Sequence, residues 1–90
     1  MGTALVKLKI MPESLEVDLE ALKETIKELL GPEVDSAIDF EEEAIAFGLK
    51  ALITGFALDE SKEIDPIQAK LTDLESIKSA EVSDFRRAFG

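Results

Sequence analysis

Thr3-Ala4-Leu5-Val6-Lys7-Leu8-Lys9-Ile10-Met11-Pro12 alternates with a period of two, and the chain changes to helical spacing soon afterwards, over residues 18–30. In the first stretch Ala4, Val6, Leu8 and Ile10 share one face and Leu5, Lys7, Lys9 and Met11 the other. That alternation, with β-branched residues in it, predicts a half-buried strand over residues 3–11, ended by Pro12. In the second stretch Leu19, Leu22, Ile26 and Leu29 recur on one helix face with Leu30 beside them, and charged residues cover the rest. Asp18 is suited to cap this helix, and Gly31-Pro32 to stop it.

Outward from this strand–helix pair the pattern repeats. Residues 34–41 form a weaker strand, with Ile38 and Phe40 against Asp35, Asp39 and Glu41. Residues 49–58 are apolar on both faces, which suits a central strand. The piece between, residues 42–48, is compatible with strand ends or with a hairpin loop. A second helix is expected over 65–75, with Asp65 as cap, Pro66 in the first turn, Gln68 at capping-box spacing, and Ile67, Leu71 and Leu74 as its buried stripe. Residues 76–83 alternate again, Ile77 and Ser79 against Lys78, Ala80 and Val82, and residues 84–90 follow as a tail.

The order β-α-β-β-α-β joins two split β-α-β units. It predicts an α+β ferredoxin-like sandwich: a four-stranded antiparallel sheet with both helices on one face. Right-handed crossovers put the first and third strands in the middle. The uncovered face is expected to carry Leu5, Lys7, Lys9, Met11, Lys50, Leu52 and Phe56. It is either a contact surface or a solvated sheet with some exposed apolar groups.

Composition narrows the function. The 90 residues, of which 46% are apolar and 33% charged, amount to one domain over residues 1–90. Ten basic and twenty acidic residues leave a net charge of −10. Such a surface repels phosphate backbones and anionic lipid, so neither nucleic acid nor membrane is an expected partner. The chain has no Cys and no His. It therefore lacks a thiol nucleophile, the usual general base near neutral pH and the commonest metal ligands. A binding or regulatory module without metal or cofactor is expected rather than an enzyme. Glu41-Glu42-Glu43 and Asp59-Glu60 fall on expected loops as solvated charge, without the spacing of a calcium loop. Gly48 and Gly55 lack the Lys-Ser/Thr that completes a phosphate cradle. With no secretory h-region at the start and no apolar run of about 20 residues, a cytoplasmic protein is expected.

Two features point to contact. Phe47-Gly48 either presents an aromatic at a loop tip or starts the third strand with a core residue. Near the C-terminus Phe85 and Phe89 bracket Arg86-Arg87, which are the only arginines. They either reach a partner or pair with the acidic surface of the chain itself.

Three stretches carry a resemblance: Thr3 to Pro12, Ile45-Ala46-Phe47-Gly48-Leu49-Lys50-Ala51-Leu52 with Asp59-Glu60 beyond it, and Ser79-Ala80-Glu81-Val82-Ser83-Asp84-Phe85-Arg86-Arg87. In order and in length the chain resembles the archaeal-type translation elongation factor 1-beta family. The resemblance implies a ferredoxin-like exchange factor that promotes replacement of GDP by GTP on the GTPase elongation factor 1-alpha by perturbing its nucleotide and magnesium site. It implies no covalent chemistry. The chain is expected to be a monomer when free. Phe47, with Gly48 and Lys50, matches a Phe/Tyr-Gly-Ile/Leu-Lys stretch whose aromatic contacts the GTPase near its nucleotide site. Eukaryotic relatives place a lysine near the C-terminus that reaches toward the magnesium position. Counted from Val82 this position falls on Arg87, an arginine here, and Arg86 is an equal candidate. The resemblance thus implies partner contacts at Phe47, Gly48, Lys50, Phe85, Arg86 and Arg87. The reading from another class is a small ligand-binding or dimerisation module that uses the open sheet face.

Overall fold

The alternating N-terminal stretch forms strand β1, Thr3–Pro12, and the helical stretch forms α1, Leu19–Leu30. They are followed by β2 (Asp39–Ala44), β3 (Lys50–Asp59), α2 (Asp65–Thr72) and β4 (Ile77–Ala88). This computed structural model describes residues 2–34 and 37–88. The sheet order is β2-β3-β1-β4 with antiparallel neighbours throughout. The expected ferredoxin-like α+β architecture is present, with β1 and β3 central.

Both helices lie on the same face. Leu22, Ile26 and Leu30 of α1 and Ile67 and Leu71 of α2 close over Ala4, Val6, Leu8 and Ile10 of β1 and Leu52, Phe56 and Leu58 of β3. Leu8, Ile10, Ile26 and Leu30 are completely buried, each burial stabilising by about 1.5–3 kcal/mol relative to exposure. Asp18 caps α1 as expected. Its Oδ1 accepts from the backbone N–H of Glu20 at 3.0 Å and of Ala21 at 3.3 Å, an arrangement worth about 1 kcal/mol.

Several expectations are corrected. Leu52 and Phe56 belong to the core rather than the open face, and Lys50 shares their parity on the helix side. The open-face residues of β3 are Ala51, Ile53, Gly55 and Ala57, paired across to β1 residues such as Lys7 and Lys9. A strand apolar on both faces gives no parity of its own: Leu52, Phe56 and Leu58 fill the core, whereas Ile53, just as large as Leu52, faces outward with Ala51, Gly55 and Ala57.

Glu41, Glu42 and Glu43 stand in β2, not in a loop, and Asp59 ends β3. The tail is not a tail: β4 runs on through Asp84 to Ala88 beside β1. Register shifts between Lys7/Leu8 and Met11/Pro12 insert extra residues into β4 at Ser83 and Lys78. The resulting bulges put Ile77, Ala80 and Val82 on one face, where simple alternation separated Ile77 from Ala80.

α2 is shorter than expected. Ile64, not Asp65, occupies its cap position, and no side chain caps it. Gln68 does not reach back. Its Nε2 donates to the Ala80 carbonyl at 3.0 Å, which ties α2 to β4.

Candidate functional site

The β2–β3 connection is a tight turn. The Ile45 N–H donates to the Leu49 carbonyl at 2.8 Å, and the Leu49 N–H to the Ala46 carbonyl at 3.3 Å. Both central residues have positive φ, 62° at Phe47 and 77° at Gly48. This resembles the mirror-image turn that matches the twist of a hairpin. Glycine meets that geometry without strain, whereas an L-residue there is strained by about 1–2 kcal/mol. Phe47 is nonetheless placed at this position with 92% of its surface exposed. The strained aromatic contributes nothing to the core.

The turn leans on the loop between β1 and α1. Leu15 Cδ2 lies 3.6 Å from where a Cβ on Gly48 would stand. That loop is fixed by the Glu13 N–H donating to the Ser76 carbonyl at 2.8 Å and by the Glu16 N–H donating to Ser14 Oγ at 3.2 Å. Leu15 is 66% exposed. Sequence reasoning missed it. Its only signal is a leucine stranded between Pro12 and the Asp18 cap, outside both periodic patterns.

Lys50 sits where β3 leaves the turn. Its Nζ is 3.6 Å from Glu42 Oε1, and Lys23 Nζ of α1 is 3.2 Å from Glu42 Oε2. The Lys23 hydrogen bond, and then Lys50, hold the Glu42 carboxyl below its ordinary value. Glu20 and then Glu42 raise Lys23 above its own. Lys50, its side chain 55% exposed, is one arm of an ion-pair network joining α1, β2 and β3.

Phe85, Arg86 and Arg87 lie elsewhere. Arg86 pairs across with Leu5 on the open face, while Phe85 and Arg87 pair with Val6 and Ala4 on the helix side. The bulge at Ser83 sets that assignment. Phe85 is half exposed. Arg86 Nε is 3.1 Å from Asp84 Oδ2, and Arg87 Nε is 3.7 Å from Glu60 Oε1. Both arginines therefore have acidic neighbours on the chain itself, yet their side chains remain 76% and 80% exposed. Phe89 lies outside the described residues. On the open face, Leu5, Lys7, Gly55, Asp84 and Arg86 border a groove of about 380 Å3, with bare Gly55 at its floor.

The six candidate residues thus form two groups. Phe47, Gly48 and Lys50 stand at the start of β3; Phe85, Arg86 and Arg87 stand near its far end, where Ala4 bridges Leu58 and Arg87. Ten extended residues span roughly 30 Å, and the molecule measures 41 × 21 × 19 Å. No side chain bridges that length. Among the described residues no group of three or more His, Cys, Asp or Glu is placed to hold a metal ion, and no helix is long and apolar enough to cross a membrane. What the two ends offer is contact: an apolar knob at one, cationic forks at the other.

Comparison with known proteins gives this surface a context. Residues 5–88 match the EF-1 guanine nucleotide exchange domain. An elongation factor 1-beta of Methanosphaera stadtmanae is 48% identical over 81 residues, covering 89% of this chain and 90% of the relative. One of Methanosphaerula palustris is 40% identical over 85 residues, with 93% and 95% covered. One of Methanosarcina acetivorans is 40% identical over 88 residues, with 97% and 99% covered.

Proposed function

Because the chain belongs to the EF-1 guanine nucleotide exchange domain family, we propose that it promotes exchange of GDP for GTP on elongation factor 1-alpha by gripping that GTPase at two separate places. The observation that carries the reading is Phe47. A large aromatic held exposed at strained φ, with no role in the core, has the character of an interface anchor.

The far end supplies the electrostatics. A cation brought to a magnesium site competes with the ion and loosens its hold on the phosphates. Arg87 is the better placed arginine, since its 3.7 Å contact to Glu60 is longer than the 3.1 Å contact of Arg86 to Asp84. Arg86 also faces the other side of the sheet. A separation of roughly 30 Å keeps Phe47 and Arg87 from serving one nucleotide site. This reading departs from the contact near the nucleotide site that the resemblance implies for Phe47: Phe47 anchors at a distance and Arg87 perturbs the nucleotide and magnesium. Catalysis here is linkage: a factor that weakens GDP binding is itself displaced by nucleotide, and the nucleotide pool sets the direction. No covalent step is involved. The net charge of −10 favours a basic GTPase over RNA and speeds encounter at low salt. On this reading the protein works in the cytoplasm, free as a monomer, with no direct contact to nucleic acid or membrane.

The test is release of fluorescent GDP from elongation factor 1-alpha at substoichiometric amounts of this protein. Wild type accelerates release, more weakly as salt rises. Phe47→Ala raises the half-maximal concentration about 10-fold or more. Arg87→Ala lowers the plateau rate, and Arg86→Ala beside it decides which arginine carries the cation. Wild type without effect at any concentration overturns the reading. The groove over Gly55 would then favour the rival, a ligand-binding or dimerisation module.

A further inference from the structure

Leu15 belongs to neither the core nor the hydrophobic residues packed against it, although its neighbours Val17 and Leu19 do. Among the described residues it is, after Phe47, the most exposed large apolar side chain. The loop that carries it touches the turn that carries Phe47. Between loop and turn lies a pocket of about 130 Å3, lined among others by Pro12, Leu15, Val17, Gly48, Leu49 and Lys50. That volume is close to the ~150 Å3 cavity that admits a benzene ring, so it accommodates one branched aliphatic or phenyl side chain. Two exposed acidic residues, Glu13 and Glu16, flank Leu15 and have no ion-pair partner among the described residues.

We propose that Leu15 and Phe47 form one two-point anchor, and that the pocket lined by Leu15 and by Gly48, next in sequence to Phe47, receives a single apolar side chain from a basic-rimmed patch on the GTPase. The inference rests on the exchange reading above and deepens it. The pocket reaches the turn at Gly48, the residue next to Phe47, and the charge around it selects a partner of opposite sign. A knob on each side entering a hole on the other, inside a charged rim that excludes water, is the arrangement in which a few residues carry most of the binding energy. A slot bounded by Gly48 also gives the glycine a second use, because a side chain there would project toward Leu15 and narrow the entrance.

The experiment compares wild type, Leu15→Ser, Leu15→Met, Phe47→Ala and the Leu15→Ser/Phe47→Ala double variant in the GDP-release assay, with melting temperatures alongside. Leu15→Ser is expected to raise the half-maximal concentration about 10-fold while leaving the plateau rate unchanged and the melting temperature within about 3 °C of wild type. Leu15→Met restores most of the loss. The double variant loses less than the product of the single losses, because the two anchors share one contact. If wild type and Phe47→Ala behave as proposed but Leu15→Ser stays within about twofold of wild type, the two-point anchor is wrong and Phe47 acts alone. If Leu15→Ser weakens exchange only by lowering the melting temperature, Leu15 is a folding residue and the proposal falls. If wild type itself is inactive, the exchange reading fails first and takes this one with it.

Discussion

Phe47 sets stability against use. Its φ of 62° and ψ of 29° belong to a region that asparagine visits readily and phenylalanine does not. Nothing in the core is lost when an exposed ring is removed. Phe47→Asn is therefore expected to raise folding stability by about 0.5–1 kcal/mol while impairing GDP release, read by urea unfolding and the release assay together. A loss of stability instead would mean that the ring holds the hairpin. The dipeptide Phe47-Gly48 hinted at this tip, but pattern alone left two readings open, because an apolar residue beside a strand fits its core as well as its turn. The backbone conformation that separates the two is set by the hairpin closing around it, and a single residue type does not reveal it. Leu15 was invisible for a related reason: loops have no period to violate.

At the scale of elements, periodicity carried most of the architecture. β1 and α1 were legible to within a residue because Pro12, Asp18 and Gly31 punctuate clean patterns. β3 was legible as a central strand, but its faces were not, since Leu52 and Ile53 are adjacent and equally apolar yet point to opposite faces. β4 misled through its bulges at Lys78 and Ser83, each of which reverses the parity of the residues after it. Glu42 is the element-scale joint, reaching Lys23 on α1 and Lys50 on β3. Its carboxyl titrates below the ordinary 4.5 in the folded protein. The stabilisation it gives is therefore complete above that ordinary value and lost as pH falls through the lower, folded one. Wild type is expected to melt above Glu42→Gln at pH 7, with the two curves converging well below pH 4.5. The gap is small because the pairs are exposed. Parallel curves across the whole range would remove Glu42 from the account.

The whole molecule is a spacer as much as a surface. β1 and β3 run continuously between the two ends, paired residue by residue from Thr3–Asp59 to Ile10–Leu52, so the distance between Phe47 and Arg87 is fixed by hydrogen-bonded strands rather than by a flexible link. Substitutions this far apart act independently. In the second-order rate constant for GDP release, the fold-losses of Phe47→Ala and Arg87→Ala are expected to multiply in the double variant. A double variant no worse than the weaker single one would mean that both residues act in one place and that the two-ended grip is wrong.

One consequence of the acidic β2 strand reaches beyond the partner. β2 is an edge of the sheet, with a row of main-chain groups open to any strand that approaches. Four of its six residues, Asp39, Glu41, Glu42 and Glu43, are carboxylates. A second copy pairing there would double that number within one narrow strip, and like charges opposed across strands repel. Such charge disfavours strand pairing along this edge. Crowded beside copies of itself during synthesis, the chain meets them along β2 with repulsion rather than with an open template.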